Sequence, residues 1–353
     1  RGQFSFPVIG ITGSNGKTIV KEWLFQMLSK DQVIVKNPGS FNSQVGVPLS
    51  VWQMQSHHQL GIFEAGISRP GEMDNLEKVI KPTIGIFTNI GSAHDEGFES
   101  QAEKISEKLK LFKNSKVLIY CADQESVRTM ISSTGISFFS WGKEESNDVI
   151  VSTHGQTGYV TFKQQEHILN LPFSDNASVE NCLHCVAVML YMGYPFKVIQ
   201  RGINGLRSVP MRMEMKEGIN QSYIIDDTYN NDLGGLELSL QFLSHQNQKR
   251  KKRLILSDIL ESGLSDEALI DQILNVLKKF PLQNFVGVGP LLSKHKQVFP
   301  QGSAFYASTE EFLTHFDYGS IYEEVILVKG ARTFAFEKIV NNLQRKVHGT
   351  VLE

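Results

Sequence analysis

The sequence has little cysteine, three residues in 353, which is too few for the disulfide framework of a small secreted domain. Long hydrophobic runs are also missing, since no stretch approaches the roughly 20 apolar residues that a membrane-spanning helix needs. Charge of one sign is absent as well, because 35 Lys and Arg are offset by 37 Asp and Glu. The chain therefore lacks the electrostatic footprint of a protein that binds nucleic acid or an anionic membrane.

What the sequence does contain is typical of a folded, water-soluble protein. Hydrophobic residues make up 41% and charged residues 20% of a chain long enough for two domains. Its first residue is Arg1 rather than Met, so we expect that further sequence precedes it in the intact protein.

The order of apolar runs and helical patterns predicts the fold class. In the first half, short buried runs such as 8–11, 60–63 and 84–87 alternate with helical spacing, which predicts a doubly wound parallel sheet. Alternating runs at about 148–171 predict a small antiparallel insertion, and a second α/β series begins near 223. We therefore predict a P-loop-type α/β domain over 1–210 and a second, smaller Rossmann-like α/β domain over 211–353.

A glycine-rich loop lies between the first strand and the first helix. Thr12-Gly13-Ser14-Asn15-Gly16-Lys17-Thr18 departs from the usual phosphate-loop pattern, which requires a Gly at position 11. Backbone N–H groups and a helix N-terminus can nevertheless cradle phosphate oxygens, Lys17 can reach outer phosphates, and Thr18 can bind Mg²⁺. The sequence thus predicts a phosphate loop of a different kind.

Acidic and histidine residues follow two other strands predicted to end at the same sheet edge. Glu64 is either a Mg²⁺ ligand or a solvated loop carboxylate, and His94 is a candidate ligand or an ordinary loop histidine. The trio Cys182, His184 and Cys185 superficially resembles a metal cluster. It lies in a continuous apolar helix with no second ligand pair downstream, which favours core packing.

Several motifs together carry a family resemblance. "TGSNGKT", "NIGSAHDEGF", "EKLKLF", "MRMEMKEG", "IIDDTYNND", "LSDILESG" and "LVKGART" occur in the order seen in the Mur ligases, and they extend over nearly the whole chain. The resemblance implies an ATP-dependent, amide-forming ligase of peptidoglycan precursor synthesis, located in the cytoplasm. "TGSNGKT" alone would equally fit folylpolyglutamate synthases.

The resemblance also assigns roles to individual residues of the first domain. It implies that Lys17 and the backbone of residues 13–16 hold the ATP phosphates, and that Thr18 and Glu64 bind one of two Mg²⁺ ions. His94 would help to hold the second ion. Lys108 matches the family lysine that becomes a carbamate and so a metal ligand; without the family it would be interpreted as a solvated helix lysine. Asn181 matches the residue that recognises adenine, although a helix-surface Asn is the plainer interpretation.

Other roles are implied for a substrate loop and for the second domain. Arg212 and Asp227 match a pair that contacts ATP, Arg212 at phosphate and Asp227 near the ribose. The remaining candidates would lie close to the substrates: Asn42, Ser43, Asn230, Asp258, Glu261, Lys329 and Arg332.

The resemblance further implies partners and leaves alternatives open. The substrates would be UDP-N-acetylmuramoyl-tripeptide and D-alanyl-D-alanine, with an N-terminal UDP-binding domain preceding this chain. The end "EKIVNNLQRKVHGTVLE" and the loop "SFNSQVGVPLSVW" resemble proteins in which such a ligase is fused to an alanine racemase domain. The alternatives are another ligase of the same superfamily, such as a folylpolyglutamate or diaminopimelate-adding enzyme, and a nucleotide-binding fragment without catalysis.

Overall fold

The computed structural model of the chain describes residues 1–91, 97–173 and 175–345. It divides into two compact units, Arg1–Arg207 and Ser208–Glu353. Each unit has its own sheet and its own buried apolar clusters. No helix in the described ranges is long and apolar enough to cross a membrane.

The first unit is built on a nine-stranded sheet in the order β2-β3-β1-β4-β5-β6-β7-β8-β9. The strands are β1 (Val8–Thr12), β2 (Ile34–Lys36), β3 (Leu60–Glu64), β4 (Ile84–Phe87), β5 (Val117–Cys121), β6 (Phe138–Gly142), β7 (Val149–His154), β8 (Thr157–Phe162) and β9 (Gln165–Asn170). The helices are α1 (Lys17–Leu28), α2 (Gly46–Trp52), α3 (Glu72–Ile80), α4 (Gln101–Leu109), α5 (Glu125–Ser133), α6 (Asn176–Tyr191) and α7 (Phe196–Asn204).

All pairings from β2 to β7 are parallel, as the alternation of strands and helices predicts. The central strands are buried along their whole length, as expected when helices cover both faces of a sheet. The runs at 149–170 form antiparallel strands that continue the same sheet beyond β6.

The second unit contains a six-stranded sheet in the order β10-β11-β15-β12-β13-β14, parallel except for β10. Its strands are β10 (Glu214–Glu217), β11 (Tyr223–Asp227), β12 (Lys251–Ser257), β13 (Asn284–Val288), β14 (Ala304–Tyr306) and β15 (Glu324–Lys329). Its helices are α8 (Leu233–Ser244), α9 (Asp266–Lys278), α10 (Pro290–Lys294), α11 (Thr309–His315) and α12 (Glu337–Leu343).

Alternate residues of this sheet enter opposite apolar clusters, because successive side chains of a strand point to opposite faces. Leu254 packs in the cluster with α8 and α9, whereas Ile255 packs in the cluster with α11 and α12. A core on both faces is the doubly covered arrangement predicted for a Rossmann-like domain.

The strand order of the first unit determines where a ligand can bind. Strand β1 lies between β3 and β4, with Ile11 opposite Glu64 and Thr12 opposite Phe87. After β1 the chain forms β2 and β3 on one side of it and then crosses to β4 on the other side. The crevice at such a switch point is where open α/β sheets bind ligands. The loop after β1, the end of β3 and the segment after β4 meet at this edge.

Candidate active site

The glycine-rich loop joins the end of β1 to the first turn of α1. Gly16 precedes the helix with φ of 82°, and Gly13 has φ of 144°, conformations that L-residues with a side chain rarely adopt. A Cβ at Gly13 would overlap Thr88 Oγ1, and a Cβ at Gly16 would overlap Asn181 Oδ1. Both glycines are therefore required by backbone conformation and by close neighbours.

Hydrogen bonds to the segment after β4 hold this loop in shape. Asn89 accepts from Ser14 N through its backbone oxygen at 2.8 Å and from Asn15 N through Oδ1 at 2.9 Å. Thr88 Oγ1 donates to the Asn15 carbonyl at 2.6 Å, and Ser14 Oγ donates to the Gly91 carbonyl at 3.1 Å. One side of the loop is thereby fixed, while α1 begins at Lys17 with its N-terminal dipole at the loop.

Lys17 folds back over the loop that precedes it. Its Nζ donates to the carbonyls of Gly13 and Ser14, each at 2.8 Å. To reach outer phosphates, as the sequence predicts, the ammonium group has to exchange these carbonyls for phosphate oxygens.

Glu64 is fully buried at the end of β3, so the interpretation as a solvated loop carboxylate is wrong. Neither carboxylate oxygen has a hydrogen-bond partner within the described chain, and the nearest cation is Lys21 Nζ at 3.8 Å from Oε1. Burying a carboxylate with so little compensation is costly.

Thr18, the other residue predicted to bind this ion, lies on α1 one turn before Lys21 and hence on the same helix face. Its Oγ1 is 3.0 Å from Ser40 Oγ.

Sequence reasoning missed Lys21 and Asn37, which support Glu64. The Lys21 side chain is completely buried, and its Nζ donates to the carbonyls of Asn37 and Gly39. Desolvation lowers the pKa of Lys21, while Glu64 and Glu22 act in the opposite direction. The Asn37 side chain bonds both backbone groups of Glu64. The helical spacing of Lys21 from Thr18 was the available signal.

Lys108 is buried, with 2% of its surface exposed, so its interpretation as a solvated helix lysine is wrong. Its Nζ donates to the carbonyl of Gly13 at 3.2 Å. Burial, followed by the nearby charges of Lys17 and Lys104, holds the pKa of Lys108 well below its ordinary value. Burial thus favours the neutral amine more than it does for an exposed lysine.

A cavity of about 280 Å³ in the first unit brings several predicted residues together. Lys17 and Lys108 line it together with Asn42, Ser43 and Gly66. Asn42 accepts a hydrogen bond from Gly66 N through its carbonyl oxygen, and Ser43 Oγ accepts from Gly46 N at the start of α2. The predicted substrate loop therefore shares one cavity with the two predicted catalytic lysines.

Asn181 is on α6, which covers β5 and β6. It is 4% exposed and packs against Gly16 of the loop, so it is not a helix-surface residue. His94, the other predicted catalytic residue, lies outside the described residues.

In the described ranges, no three His, Cys, Asp or Glu side chains form a group that could hold a metal ion. The core interpretation of Cys182, His184 and Cys185 is confirmed, since all three are buried. His184 Nδ1 accepts from Trp141 Nε1 at 3.1 Å, and Nε2 lies 2.8 Å from the Thr88 carbonyl. Burial lowers the pKa of His184 to about 4, so the ring is neutral at neutral pH.

In the second unit, five of the predicted residues form two groups, one of which lies against the Tyr229 ring. The guanidinium groups of Arg212 and Arg332 lie 4.2 and 5.6 Å from the Tyr229 ring centroid, and Arg212 Nε is buried without a described partner. Lys329 Nζ donates to Asp227 Oδ2 and to the Asn230 carbonyl, each at 2.7 Å. The predicted ribose contact Asp227 is thus ion-paired inside its own unit.

The last two predicted residues of the second unit are Asp258 and Glu261. The Asp258 carboxylate accepts from the backbone N–H groups of Leu291 and Leu292, each at 2.9 Å, at the start of α10. Desolvation raises the pKa of Asp258. Glu261 is exposed and has φ of 54°.

Comparisons with known proteins agree with this geometry. The sequence profile of the Mur ligase middle domain matches residues 11–189, just over half of the chain. A UDP-N-acetylmuramoyl-tripeptide--D-alanyl-D-alanine ligase of Bacillus subtilis is 28% identical over 348 residues, covering 95% of this chain and 75% of the relative. The enzyme of that name from Escherichia coli is 26% identical and covers 98% and 78%.

Solved structures of this kind share the fold. MurF from Acinetobacter baumannii superposes with a TM-score of 0.83 at 24% identity, covering 97% of this chain and 77% of that one. MurF ligase from Thermotoga maritima in complex with ADP gives a TM-score of 0.80 at 22% identity, covering 97% and 80%. These likenesses confirm the predicted fold class, a P-loop-type domain followed by a second α/β domain. With its middle-domain match, its loop and its two-unit architecture, the chain belongs to the Mur ligase family.

Proposed function

We propose that this chain forms an amide bond between UDP-N-acetylmuramoyl-tripeptide and D-alanyl-D-alanine at the expense of ATP, in peptidoglycan precursor synthesis. The observation that carries the proposal is the cavity shared by Lys17, Lys108, Asn42 and Ser43 beside the phosphate loop. The relatives named above are ligases for these two substrates. We retain the cytoplasmic location, the N-terminal UDP-binding domain and the fused alanine racemase domain as predictions.

The reaction that fits these residues is activation of a carboxylate. The terminal carboxylate of the tripeptide attacks the γ-phosphorus of ATP, so that an acyl phosphate forms and ADP leaves. The amine of D-alanyl-D-alanine then attacks the acyl carbon, loses a proton and displaces inorganic phosphate. We propose that Lys17 contacts the charge that develops on the transferred phosphoryl group.

The residues of the loop and the buried carboxylate suit a magnesium ion. Glu64 has two buried oxygens without hydrogen-bond partners in the described chain, and Thr18 supplies a hydroxyl. Since Mg²⁺ keeps several waters and takes one or two carboxylates plus phosphate oxygens, it does not need a cluster of three acids. When bound, the ion would neutralise phosphate charge. We propose Thr18 and Glu64 as its ligands, with His94 and Lys108 predicted for a second ion.

Lys108 supports this assignment only after a chemical change. A neutral amine can attack CO₂ to form an N–C bond and release a proton, which yields a carbamate anion. The burial of Lys108 and its lowered pKa favour the neutral amine. We propose that Lys108 is carbamylated and presents an anionic oxygen towards the cavity.

For the second unit, we propose that Arg212 and Asp227 contact the nucleotide. The buried Nε of Arg212, which has no hydrogen-bond partner among the described residues, supports a role in binding an anion. Asn230, Glu261, Lys329 and Arg332 stay predictions for the neighbourhood of the dipeptide amine.

The direct test uses the full-length protein with ATP, the tripeptide precursor and D-alanyl-D-alanine. We expect ADP to be released only when both the tripeptide precursor and D-alanyl-D-alanine are present. With ATP labelled by ¹⁸O in the β–γ bridge, we also expect exchange of the label into non-bridging positions when only the precursor is present, because acyl phosphate formation is reversible.

The same assay separates the alternatives. ADP release with folate–glutamate substrates, or with the dipeptide precursor and diaminopimelate, would identify another ligase of the superfamily. Binding of an ATP analogue without turnover in any mixture would leave a nucleotide-binding protein and refute the proposal.

A further inference from the structure

The β2–α2 loop, residues 37–45, joins the end of β2 to the start of α2. Asn42, Ser43 and Val45 of this loop line the cavity of about 280 Å³. Only Asn37 among its residues is buried, so the burial of apolar side chains contributes little to holding the loop in place. Its conformation therefore depends mainly on polar contacts.

The ammonium group of Lys21 makes the first of these contacts. The Lys21 side chain is completely buried on α1, and its Nζ donates to the carbonyl of Asn37 at 2.9 Å and to the carbonyl of Gly39. An ammonium group has three N–H donors. Besides the two carbonyls, Nζ has the carboxylates of Glu22 and Glu64 at 3.3 and 3.8 Å. One buried cation thus connects the loop to α1 and to the end of β3.

The side chain of Asn37 attaches the same loop to β3. Its Nδ2 donates to the carbonyls of Phe41 and Glu64 at 2.9 and 3.0 Å, and its Oδ1 accepts from Glu64 N at 2.9 Å. Further along the loop, the Asn42 carbonyl accepts from Gly66 N at 2.9 Å. The residues that line the cavity therefore follow directly on a segment that Lys21 and Asn37 hold.

We propose that Lys21 is a positioning residue for the β2–α2 loop, which it fixes in the conformation that presents Asn42 and Ser43 to the tripeptide precursor. Lys21 acts through the carbonyls of Asn37 and Gly39 and does not itself touch the substrate. The proposal rests on the proposed function, because it takes the precursor to be the ligand of the cavity.

The physical reason lies in the charge and the donors of the ammonium group. Hydrogen bonds from a charged donor are roughly twice as strong as neutral ones, and one lysine supplies them to two loop carbonyls. A methionine has a flexible apolar side chain that fills a similar space but donates no hydrogen bond. Replacing Lys21 by Met should therefore loosen the loop without opening a large cavity.

The first test measures hydrogen exchange of the peptide spanning residues 37–46 in the full-length protein without ligand. We compare the wild type with Lys21→Met, with Glu64→Gln and with the double variant, in which no unpaired buried carboxylate remains. We expect exchange at least about tenfold faster wherever Lys21 is replaced, the value of one hydrogen bond from a charged group. Glu64→Gln alone should retain the wild-type rate, because the two loop carbonyls keep their donor.

The second test separates positioning from general stability by steady-state kinetics. Lys21→Met should raise the KM for the tripeptide precursor by about tenfold, with a smaller change in kcat and in the KM for D-alanyl-D-alanine. A residue that only stabilises the fold would lower the fraction of active enzyme, and hence kcat, while leaving the KM for the precursor unchanged.

Lys36→Met is the matched control. It removes the same charge from the neighbouring ion pair, in which Lys36 Nζ lies 2.9 Å from Glu22 Oε1. Its loop exchange and its KM for the precursor should stay close to the wild-type values.

The outcomes that overturn the proposal are specific. Loop exchange that is unchanged in Lys21→Met and in the double variant overturns it, and so does faster exchange with an unchanged KM for the precursor. If Lys21→Met does not fold, the double variant is compared with Glu64→Gln by loop exchange and by calorimetric titration with the precursor. If the wild type does not ligate these substrates, the proposed function fails, and the exchange measurement still decides whether Lys21 holds the loop.

Discussion

At the scale of single residues, burial changes the chemistry expected of two ionisable side chains, Lys108 and Glu64. Lys108 and Glu64 are ionisable residues, yet the fold removes both side chains from water and gives the Glu64 carboxylate no hydrogen bond within the described residues. Isolated charge in such surroundings is costly and is relieved by a change of protonation, by chemical modification or by a bound ion. These two positions are consequently where we expect chemistry.

Replacing Lys108 tests the carbamate. We expect ¹³C-bicarbonate to give a carbamate carbonyl resonance in the wild type that is absent in Lys108→Ala, together with a loss of ligation of about 100-fold, as for other preorganised charges. Lys110→Ala is the matched control, because Lys110 is 41% exposed and pairs with Glu107 and Asp74. An unchanged resonance in Lys108→Ala would place the carbamate elsewhere.

Glu180 also predicts how stability depends on pH. Burial raises the pKa of Glu180 to about 7 in the folded protein, against an ordinary value of 4.5 for a glutamate carboxyl, so the folded state retains the proton to higher pH. The contribution of Glu180 to stability is therefore greatest below the unfolded pKa and is lost as pH rises from about 4.5 to about 7.

We expect Glu180→Gln, which stays neutral, to gain stability relative to wild type between pH 5 and pH 8, by at most about 3 kcal/mol. Denaturant unfolding at the two pH values measures this gain. If the free energies of unfolding of Glu180→Gln and wild type differ by the same amount at pH 5 and at pH 8, the raised pKa is contradicted.

At the scale of elements, strand ends decide which residues meet. The sequence predicts β1, β3 and β4 from their apolar runs and places Thr12, Glu64 and the segment after Phe87 at one edge, as the register confirms. The hydrogen bonds of Asn89 to the loop could not be predicted, because they depend on the backbone path after β4. The continuation of the sheet by β7, β8 and β9 depends likewise on a long-range pairing, Trp141 opposite Val149.

Asp258, which belongs to the motif "LSDILESG", has a structural role at the start of a helix. Its carboxylate caps the two N–H groups that begin α10, so we expect Asp258→Ala to destabilise the protein by about 1–2 kcal/mol, as loss of a helix cap does. Asp258→Asn should recover part of this loss in denaturant unfolding. Unchanged stability in Asp258→Ala, with a raised KM for the dipeptide, would instead favour the predicted substrate role.

At the scale of the whole molecule, each of the two units has buried apolar clusters of its own. Among the described residues, one cluster lies against the nine-stranded sheet, and two others cover the two faces of the six-stranded sheet. Units that each have a core of their own can unfold separately.

We therefore expect differential scanning calorimetry of the full-length protein to give a calorimetric enthalpy larger than the van't Hoff enthalpy. An ATP analogue should raise the transition temperature of the unit that contains the phosphate loop, because binding to the folded state stabilises it by mass action. A single transition with equal enthalpies, with and without nucleotide, would contradict this expectation.

The sequence by itself determined the succession of strands and helices, the phosphate loop and the family, because these depend on local periodicity and on motifs that are contiguous in the chain. Only the tertiary structure decided that Lys108 is buried against Gly13, that Lys21 lies beside Glu64, and that Asn89 accepts hydrogen bonds from Ser14 and Asn15 of the loop. The physical reason is that burial and pKa depend on which residues the sheet order brings together across long stretches of sequence. No local pattern records those contacts.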